Sequence, residues 1–343
     1  MKSLGLVIAA VFLLLFGIVI LRSVAPGVFP VYFIYLAIGV ILFFIFSKVD
    51  FDIISLFSKQ FYIGSIIFLL LPLIIGQVTR GVIRWIPVGS LTIQPSEIVR
   101  PFLLVFFADY IYKKRLDRGR ALYLILFLLL PAFLILVQPS LGVTVLTVIG
   151  FAGVVLASDF NKKLLVPAAM AILLLIPVGL LVLAPYQRTR IEAFLFPDKD
   201  PSGAGYNSLQ SMISVGSGKL WGRGLGEGVQ TQLSFLPERQ TDFIFASVAE
   251  EMGFVGAFFL LAGSFFLLFQ IQKISTSARS PAARAFVSGV FLTLFAQTMI
   301  HIGMNMGVFP ITGVPLPLVS AGGSSLIATM IALGMVVGAQ KKV

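Results

Sequence analysis

Asp242 is the residue whose type and position most directly suggest chemistry. It lies in LPERQTDFIFASVAEEMGFVG, where a long polar stretch meets a strongly apolar one. Ionisable groups at membrane depth are costly, and they are therefore candidates for functional sites. A carboxylate here could act as a general base. The alternative is that Asp242, or Thr241 beside it, only caps a helix that begins at Phe243.

Arginines in other loops suggest that the substrate is anionic. Arg84 and Trp85 put a guanidinium beside an amphipathic ring, which suits a phosphate head group at a membrane interface. Simple snorkelling to the interface explains the same pair equally well. Arg188 and Arg190 add positive charge in YQRTR. Because arginines bind phosphates through paired hydrogen bonds, we expect a lipid-linked phosphate or pyrophosphate as the ligand.

Two pairs of charged residues have competing interpretations. Glu97 and Arg100 are three residues apart, so a helix places them on one face. They could form an ion pair inside the bundle, or Arg100 could point at the anionic substrate. Glu250 and Glu251 could contact a neighbouring helix or take part in catalysis. For Asn305 we expect a hydrogen bond between helices.

The composition places the chain among integral membrane proteins. Of its 343 residues, 58% are hydrophobic and 11% are charged, against about 25% charged in a typical soluble domain. The sequence has no cysteine and one histidine, which excludes disulfides, cysteine nucleophiles and histidine-rich metal clusters. The net charge of +11 suits anchoring to anionic lipid and does not indicate nucleic-acid binding.

Ten segments are long and apolar enough to cross a bilayer. They are 4–21, 28–47, 61–78, 97–112, 121–137, 141–158, 163–184, 243–270, 285–307 and 319–339. Their hydrophobicity is nearly continuous and lacks the alternation of a membrane β-barrel. We therefore predict an all-α integral membrane protein with about ten transmembrane helices, folded as a single polytopic domain over 1–343.

Lysines and arginines in the short connections predict that both termini are cytoplasmic. The loop 79–97, the glycine-rich loop 185–242 and the segment VFPITGVPLPLVSAGGSSL then lie outside. The large extracytoplasmic loop 185–242 joins spans seven and eight and is far longer than usual connections. We expect its NSLQSMISV segment to form a short interfacial helix, and the loop to fold back and carry part of the active site. Irregular backbone at membrane depth is tolerated where it is buried or lines a cavity.

Four ordered motifs resemble one family over most of the chain. LPERQTDFIFASVAEEMGFVG, DPSGAGYNSLQSMISVGSGKLWGRGLGEG, QPSEIVRPFLL and GVFPITGVPLPLVSAGGSSLIATMIALG are similar to the SEDS proteins (shape, elongation, division and sporulation). The Pro-Glu-Arg before Thr-Asp-Phe resembles the RodA, rod-elongation branch more than the FtsW division branch. The resemblance implies a ten-span peptidoglycan glycosyltransferase of the bacterial cytoplasmic (inner) membrane, which polymerises lipid II on the extracytoplasmic face.

The resemblance also implies roles and partners. The essential aspartate of the family corresponds to Asp242, as general base or as ligand of a divalent cation such as Mg²⁺ or Mn²⁺. The expected partners are a class B penicillin-binding protein that acts as transpeptidase, lipid II, the nascent glycan strand and membrane lipid, with no nucleic acid. The residues expected to bind substrate are Arg84, Trp85, Glu97, Arg100, Arg188, Arg190, Glu238 and Ser320.

The chain departs from the family pattern at three positions. Arg100 stands where the family commonly has lysine, Ser140 replaces an acid in QPSLG, and Ala321 replaces an aromatic residue. Ser140 puts in doubt any mechanism that needs a second carboxylate at that site. Glu97 and Glu238 remain as candidates for that role, and both are expected to face the same cavity.

Two other functions compete with polymerisation. A lipid II flippase or transporter should carry polar groups through the bilayer midplane and show repeat symmetry between its halves. Here the charged residues cluster at the outer rim, and no internal repeat is evident. A scaffold that only recruits cell-wall enzymes would leave Asp242 without a purpose at the mouth of span eight.

Overall fold

The computed structural model describes residues 3–75, 77–79, 82–114, 117–158, 185–196 and 205–340. These ranges are mostly helical and contain a small antiparallel sheet with strand order β1-β2-β3. The α-helices are α1 Leu4–Val24, α2 Phe29–Lys48, α3 Phe51–Leu56, α4 Ser58–Ile75, α5 Pro95–Lys113, α6 Arg118–Val137, α7 Leu141–Leu156, α8 Pro185–Leu195, α9 Tyr206–Ser217, α10 Val229–Gln232, α11 Ile244–Thr276, α12 Pro281–Asn305 and α13 Gly323–Gly338. A 3₁₀ turn, Pro26–Val28, joins α1 to α2, and the strands are β1 Gln77–Thr79, β2 Val82–Val88 and β3 Leu91–Ile93.

Among the described residues, six helices are long and apolar enough to cross a membrane, which agrees with a multi-pass membrane protein. They are Leu4–Val24, Pro26–Lys48, Ser58–Ile75, Gly119–Val137, Ile244–Thr276 and Pro281–Asn305. Two shorter apolar helices, α7 and α13, coincide with further predicted spans. The predicted span 163–184 lies outside the described residues. The number ten and the orientation of the chain therefore stay predictions.

The expectation of an all-α chain is wrong between Gln77 and Ile93, where three short strands form. Ile86 pairs with Ile93 and Val88 with Leu91, so β2 and β3 form a hairpin. Gly89 has φ +61° at the first position of the two-residue turn, a conformation that glycine adopts readily. Residues 82–93 are rich in β-branched side chains, which favour strands. The hairpin carries Arg84 and Trp85 toward the site described below.

The predicted helix in NSLQSMISV is present as α9. Its buried side chains are Ser208, Ser211 and Ser214. Leu209 and Ile213 are the exposed ones. The serine face contacts α11 and α12, because small hydroxyl-bearing side chains allow close approach and hydrogen-bond across the interface. Leu209 and Ile213 therefore point away from the bundle, whereas Val215 packs against the core.

Helix α11 is interrupted at Gly253, whose φ of +64° and ψ of −162° are not helical. The loop segment 219–224 docks into this break and replaces the lost helical hydrogen bonds. The amides of Arg223 and Gly224 donate to the carbonyls of Glu250 and Glu251, at 2.9 and 3.0 Å. In the other direction, the amides of residues 254 and 255 donate to the carbonyls of 219 and 220, at 2.9 and 3.2 Å.

The docking requires two glycines. A Cβ on Gly253 would lie 2.2 Å from the amide nitrogen of Gly222, and a Cβ on Gly222 would lie 2.2 Å from the Glu251 carbonyl oxygen. Such distances are shorter than any side chain tolerates. The break and the loop are thus one structural unit, which fixes the path of the chain toward residue 242.

Candidate active site

Asp242 lies in a tight turn that ends where α11 begins. The carbonyl oxygen of Glu238 accepts the amides of Thr241, Asp242 and Phe243 at 3.0, 3.1 and 3.3 Å. Glu238 itself has φ +53°, an uncommon conformation for a residue with a side chain. The N-cap of α11 is Phe243, and no side chain of the capping position bonds the first turn. Neither Asp242 nor Thr241 is therefore the N-cap residue of α11.

Asn305, at the end of α12, holds the backbone of this turn. Its side-chain amide donates to the carbonyls of Asp242 at 3.0 Å and of His301 at 2.7 Å. Its Oδ1 accepts the amide of Ala246 at 3.1 Å, and so satisfies one of the unpaired donors at the start of α11. Asn305 is fully buried. The predicted interhelical hydrogen bond is confirmed, and it bears directly on the position of Asp242.

Ser320 supports the same turn from the other side. Its hydroxyl donates to the carbonyl of Thr241 at 2.8 Å and accepts the amide of Leu316 at 2.8 Å. The next amide, of Ala321, donates to the carbonyl of Gln240 at 2.9 Å. Ser320 is buried. The structure thus places this predicted substrate ligand behind the turn, as a residue that positions Asp242.

A cavity of about 70 Å³ opens beside Asp242 and brings together several predicted site residues. It contains both Asp242 and Glu97, together with Arg84 and Trp85 of the β2–β3 hairpin. The Arg84 guanidinium carbon lies 5.6 Å from the centroid of the Trp85 ring. The described residues that line the cavity are Arg84, Trp85, Gln94, Glu97, Thr241, Asp242, Gly313, Pro315, Gly322, Ser324 and Ser325. We call this the aspartate cavity.

Glu97 and Arg100 form an ion pair within the bundle. Both residues are buried. The Arg100 guanidinium also donates to the side-chain oxygen of Gln297 at 3.3 Å, and Gln297 in turn donates to the carbonyl of Pro315 at 2.8 Å. Of the two alternatives for this pair, the structure therefore shows the mutual ion pair. Arg100 lies behind Glu97 and is not among the residues that line the aspartate cavity.

Arg190 is the arginine of YQRTR that reaches the site. Its Nη1 donates to the carbonyl of Ile311 at 3.2 Å. A Cβ on Gly313 would lie 3.4 Å from Asp242 Oδ2 and 3.7 Å from Arg190 Nη1, so the carboxylate and the guanidinium both lie beside this glycine. Arg84 and Arg190 also line one small pocket in front of residues 310–312. Arg188, in contrast, is exposed.

The two candidates for a second carboxylate, Glu97 and Glu238, occupy different positions. Glu97 lines the aspartate cavity, whereas Glu238 does not. The Glu238 carboxylate instead accepts the Thr241 hydroxyl at 3.0 Å. Ser140, at the position of the family's acid, accepts a long 3.4 Å hydrogen bond from Gln94, which lines the cavity. Glu97 is therefore the acid that accompanies Asp242 in this cavity.

A preformed metal cage is not found in the part of the chain that the structure describes, where no group of three or more His, Asp or Glu side chains is placed to hold an ion. The aspartate cavity does contain two carboxylates, which are the oxygen ligands that Mg²⁺ and Mn²⁺ prefer. Mg²⁺ commonly binds through one or two carboxylates together with substrate phosphates. The donor set fits a cation that arrives with the substrate.

Glu250 and Glu251 hold the loop to α11. The fully buried Glu250 carboxylate accepts the amides of Gln230 at 2.8 Å and Thr231 at 3.0 Å. Glu251 accepts the Ser23 hydroxyl and the side-chain amide of Gln232. These contacts favour the structural interpretation of the acidic pair.

Gln94 and Gly313 were missed by the sequence reasoning. Gln94 immediately precedes α5 in QPSE, and Gly313 lies in PITG with φ +67°. For Gly313, the high proline and glycine content of the segment around PITG was the one sequence feature that pointed to the site.

Comparison with known proteins gives consistent matches. The model of the FtsW, RodA and SpoVE cell cycle proteins matches residues 28–343. The peptidoglycan glycosyltransferase MrdB of Escherichia coli strain K12 is 36% identical over 307 residues, which cover 88% of this chain and 82% of MrdB. A chain of a peptidoglycan synthase complex, solved to explain how polymerization and crosslinking are coordinated, is 31% identical with a TM-score of 0.83, covering 97% of this chain and 96% of that one. The rod shape determining protein RodA of Thermus thermophilus is 27% identical with a TM-score of 0.73, covering 97% and 95%.

Proposed function

This chain belongs to the FtsW/RodA/SpoVE family and is a peptidoglycan glycosyltransferase, and we propose that it polymerises lipid II with Asp242 as the general base. One observation carries the assignment of the residue. The Asp242 carboxylate and the Arg190 guanidinium both approach Gly313, at 3.4 and 3.7 Å from the position that a Cβ would take there, so a base and a phosphate-binding cation lie beside the same glycine. Arg84 lines the same cavity as Asp242.

The reaction joins two sugars. The 4-hydroxyl of the acceptor GlcNAc attacks C1 of the donor MurNAc, and the bond from C1 to the undecaprenyl pyrophosphate breaks. Asp242 takes the proton of the attacking hydroxyl. Arg84 and Arg190 stabilise the negative charge that develops on the departing pyrophosphate. Arg188 lies two residues before Arg190 and is exposed, so it would contact the phosphates only at the outer edge of the site.

The surroundings of Asp242 limit its motion. Asn305 and Ser320 fix the carbonyls of residues 242 and 241, and the Glu238 carbonyl binds three successive amides. Because a catalytic group that is held in place needs less reorganisation, this framework supports a role in the reaction itself. The buried ion pair with Arg100 holds Glu97 in the same cavity.

A divalent cation would be held by Asp242 and Glu97 together with the pyrophosphate oxygens. It would neutralise part of the charge on the leaving group. The similarity to a chain of a peptidoglycan synthase complex supports a class B penicillin-binding protein as partner. We place the protein in the bacterial cytoplasmic membrane with Asp242 on the extracytoplasmic face, beside the nascent glycan strand.

The test compares wild type, Asp242→Ala and Glu227→Ala, each purified with the partner and supplied with lipid II. Glu227 is an exposed acid of the same loop and serves as the matched control. We expect glycan strands from wild type and Glu227→Ala, and none from Asp242→Ala, while the melting temperature and partner binding of all three agree. Equal polymer from Asp242→Ala would refute the assignment. No polymer from wild type, together with transbilayer movement of lipid II in vesicles, would favour the flippase alternative.

A further inference from the structure

A second and larger cavity adjoins the aspartate cavity. Its volume is about 450 Å³, within the range of sites that bind small molecules. Trp85, Thr241 and Gly322 line both cavities and so form the wall between them. The described residues that line the larger cavity are Gly27, Val28, Val31, Tyr32, Tyr35, Trp85, Ser90, Thr92, Gln240, Thr241, Ala321, Gly322 and Gly323.

The two cavities differ in charge. The aspartate cavity contains Arg84, Glu97 and Asp242, whereas none of the described residues that line the larger cavity is ionised at neutral pH. A pyrophosphate would lose its hydration there without gaining a cation, which is unfavourable. The larger cavity therefore suits the neutral part of a substrate.

Aromatic side chains dominate one wall of the larger cavity. Tyr32, Tyr35 and Trp85 supply amphipathic rings, each apolar on its faces and polar at one edge. Tyr35 is fixed, because its hydroxyl bonds the carbonyl and the amide of Thr92 at 2.8 and 2.7 Å. Gly323 packs against the Tyr35 ring, since a Cβ there would lie 2.4 Å from it. Sugar rings have apolar C–H faces and peripheral hydroxyls, and they match such a wall.

Two donors in this wall lack partners among the described residues. The Tyr32 hydroxyl and the Trp85 indole N–H are both buried without a hydrogen bond. Tyr32 is only 2% exposed. Buried donors without partners are unfavourable and therefore uncommon in native proteins. Hydroxyl and acetamido oxygens of a sugar would accept these hydrogen bonds.

We propose that the larger cavity binds the terminal sugar of the acceptor, the one whose hydroxyl attacks, with Tyr32 and Trp85 as hydrogen-bond donors. This inference rests on the proposed polymerase function. Thr241 connects the two cavities and directly precedes Asp242. An acceptor sugar in the larger cavity would therefore present its hydroxyl to the Asp242 carboxylate. The donor pyrophosphate would stay on the side of Arg84 and Arg190.

The test separates the two substrates. A lipid II analogue whose sugar 4-hydroxyl is blocked can only donate, and a lipid-linked disaccharide with a linkage that cannot leave can only accept. Their single coupling gives an acceptor KM and a donor KM for each protein. We expect Tyr32→Phe to raise the acceptor KM about tenfold, the usual effect of one lost hydrogen bond in a buried site, while kcat and donor KM stay at wild-type values.

Two further variants guard the interpretation. Tyr123→Phe removes a hydroxyl from an exposed tyrosine and should change neither KM. Ser90→Trp adds bulk at an exposed turn residue that lines the cavity. It should raise the acceptor KM and leave the donor KM unchanged. An unchanged acceptor KM in both Tyr32→Phe and Ser90→Trp would overturn the proposal. A raised donor KM instead would also overturn it, because the cavity would then hold the donor.

Binding in the Asp242→Ala background distinguishes a failure of this site from a failure of the polymerase function. Affinity for the acceptor-only disaccharide is measured there by titration calorimetry, with and without Tyr32→Phe. Weaker binding with Tyr32→Phe would support the sugar site even if wild type made no polymer. Equal binding would refute the site even if wild type polymerised normally.

Discussion

Glu250→Gln tests whether the acidic pair of α11 holds the loop without taking part in chemistry. The Glu250 carboxylate accepts the amides of Gln230 and Thr231 with separate oxygens, at 2.8 and 3.0 Å. Glutamine keeps the length of the side chain but has only one accepting oxygen, and its NH₂ group is a donor. In the variant, one of the two backbone amides must therefore face another donor.

The expected effect follows from the burial of this contact. A hydrogen bond to a charged group contributes about 1.5–3 kcal/mol, and the Glu250 side chain is fully buried. We expect α10 to open more easily by about 2–3 kcal/mol, which is roughly 30- to 150-fold in the opening equilibrium. Because α10 precedes the turn that carries Asp242, polymerisation should fall severalfold but persist.

Hydrogen exchange followed by mass spectrometry measures this opening directly. Peptides that cover residues 225–236 are compared in wild type, Glu250→Gln and the exposed control Glu227→Gln. We expect faster exchange only in Glu250→Gln. Unchanged protection would refute the structural reasoning. Unchanged protection with complete loss of polymer would mean that Glu250 takes part in the chemistry.

Four further outcomes are expected. Asn305→Ala frees the Asp242 carbonyl and should lower kcat about tenfold or more, with partner binding unchanged in a pull-down. Gly313→Ala forces a side chain into φ +67° and should lower the unfolding free energy by about 1–2 kcal/mol, as measured by thermal melting, and an unchanged melting temperature would contradict the backbone argument. Arg190→Ala should raise the donor KM and spare the acceptor KM, whereas an effect on the acceptor alone would place the phosphates elsewhere. A chelator should stop polymerisation and leave the melting temperature of the substrate-free protein unchanged, because no metal cage exists among the described residues. A lowered melting temperature would indicate a resident ion.

The sequence was sufficient to locate the long apolar helices and Asp242, because both produce local patterns. Long apolar runs mark α1, α2, α4, α6, α11 and α12. Asp242 stands out because an acid beside such a run is rare. The start of α11 was predicted within one residue, although the capping partner was not. That partner is Asn305, sixty-odd residues later, and such long-range contacts leave no local pattern.

Other features of the site also depend on distant parts of the chain. The break at Gly253 is stabilised by a loop about thirty residues earlier. The sequence next to residue 253 does not distinguish it from an ordinary glycine within a helix. The structure has the β2–β3 hairpin where a loop was predicted. Strands this short produce only a weak sequence pattern, and here they lie between long apolar segments. Glu97 could be proposed as a second acid, yet only the fold shows that it, and not Glu238, shares the cavity of Asp242.

The break in α11 also determines how far the reaction lies from the hydrocarbon. At about 1.5 Å per residue, the stretch after Gly253 is about 34 Å long, which is enough to cross a bilayer core of about 30 Å without help from the first part of the helix. If that stretch spans the bilayer core, residues 244–252 lie in the head-group layer and Asp242 lies above the lipid tails. A lipid carrier would have to lift its phosphates out of the plane of its neighbours to reach the site. Membrane thickness should therefore affect the rate, and thicker bilayers are expected to slow polymerisation by bringing the tails closer to the opening.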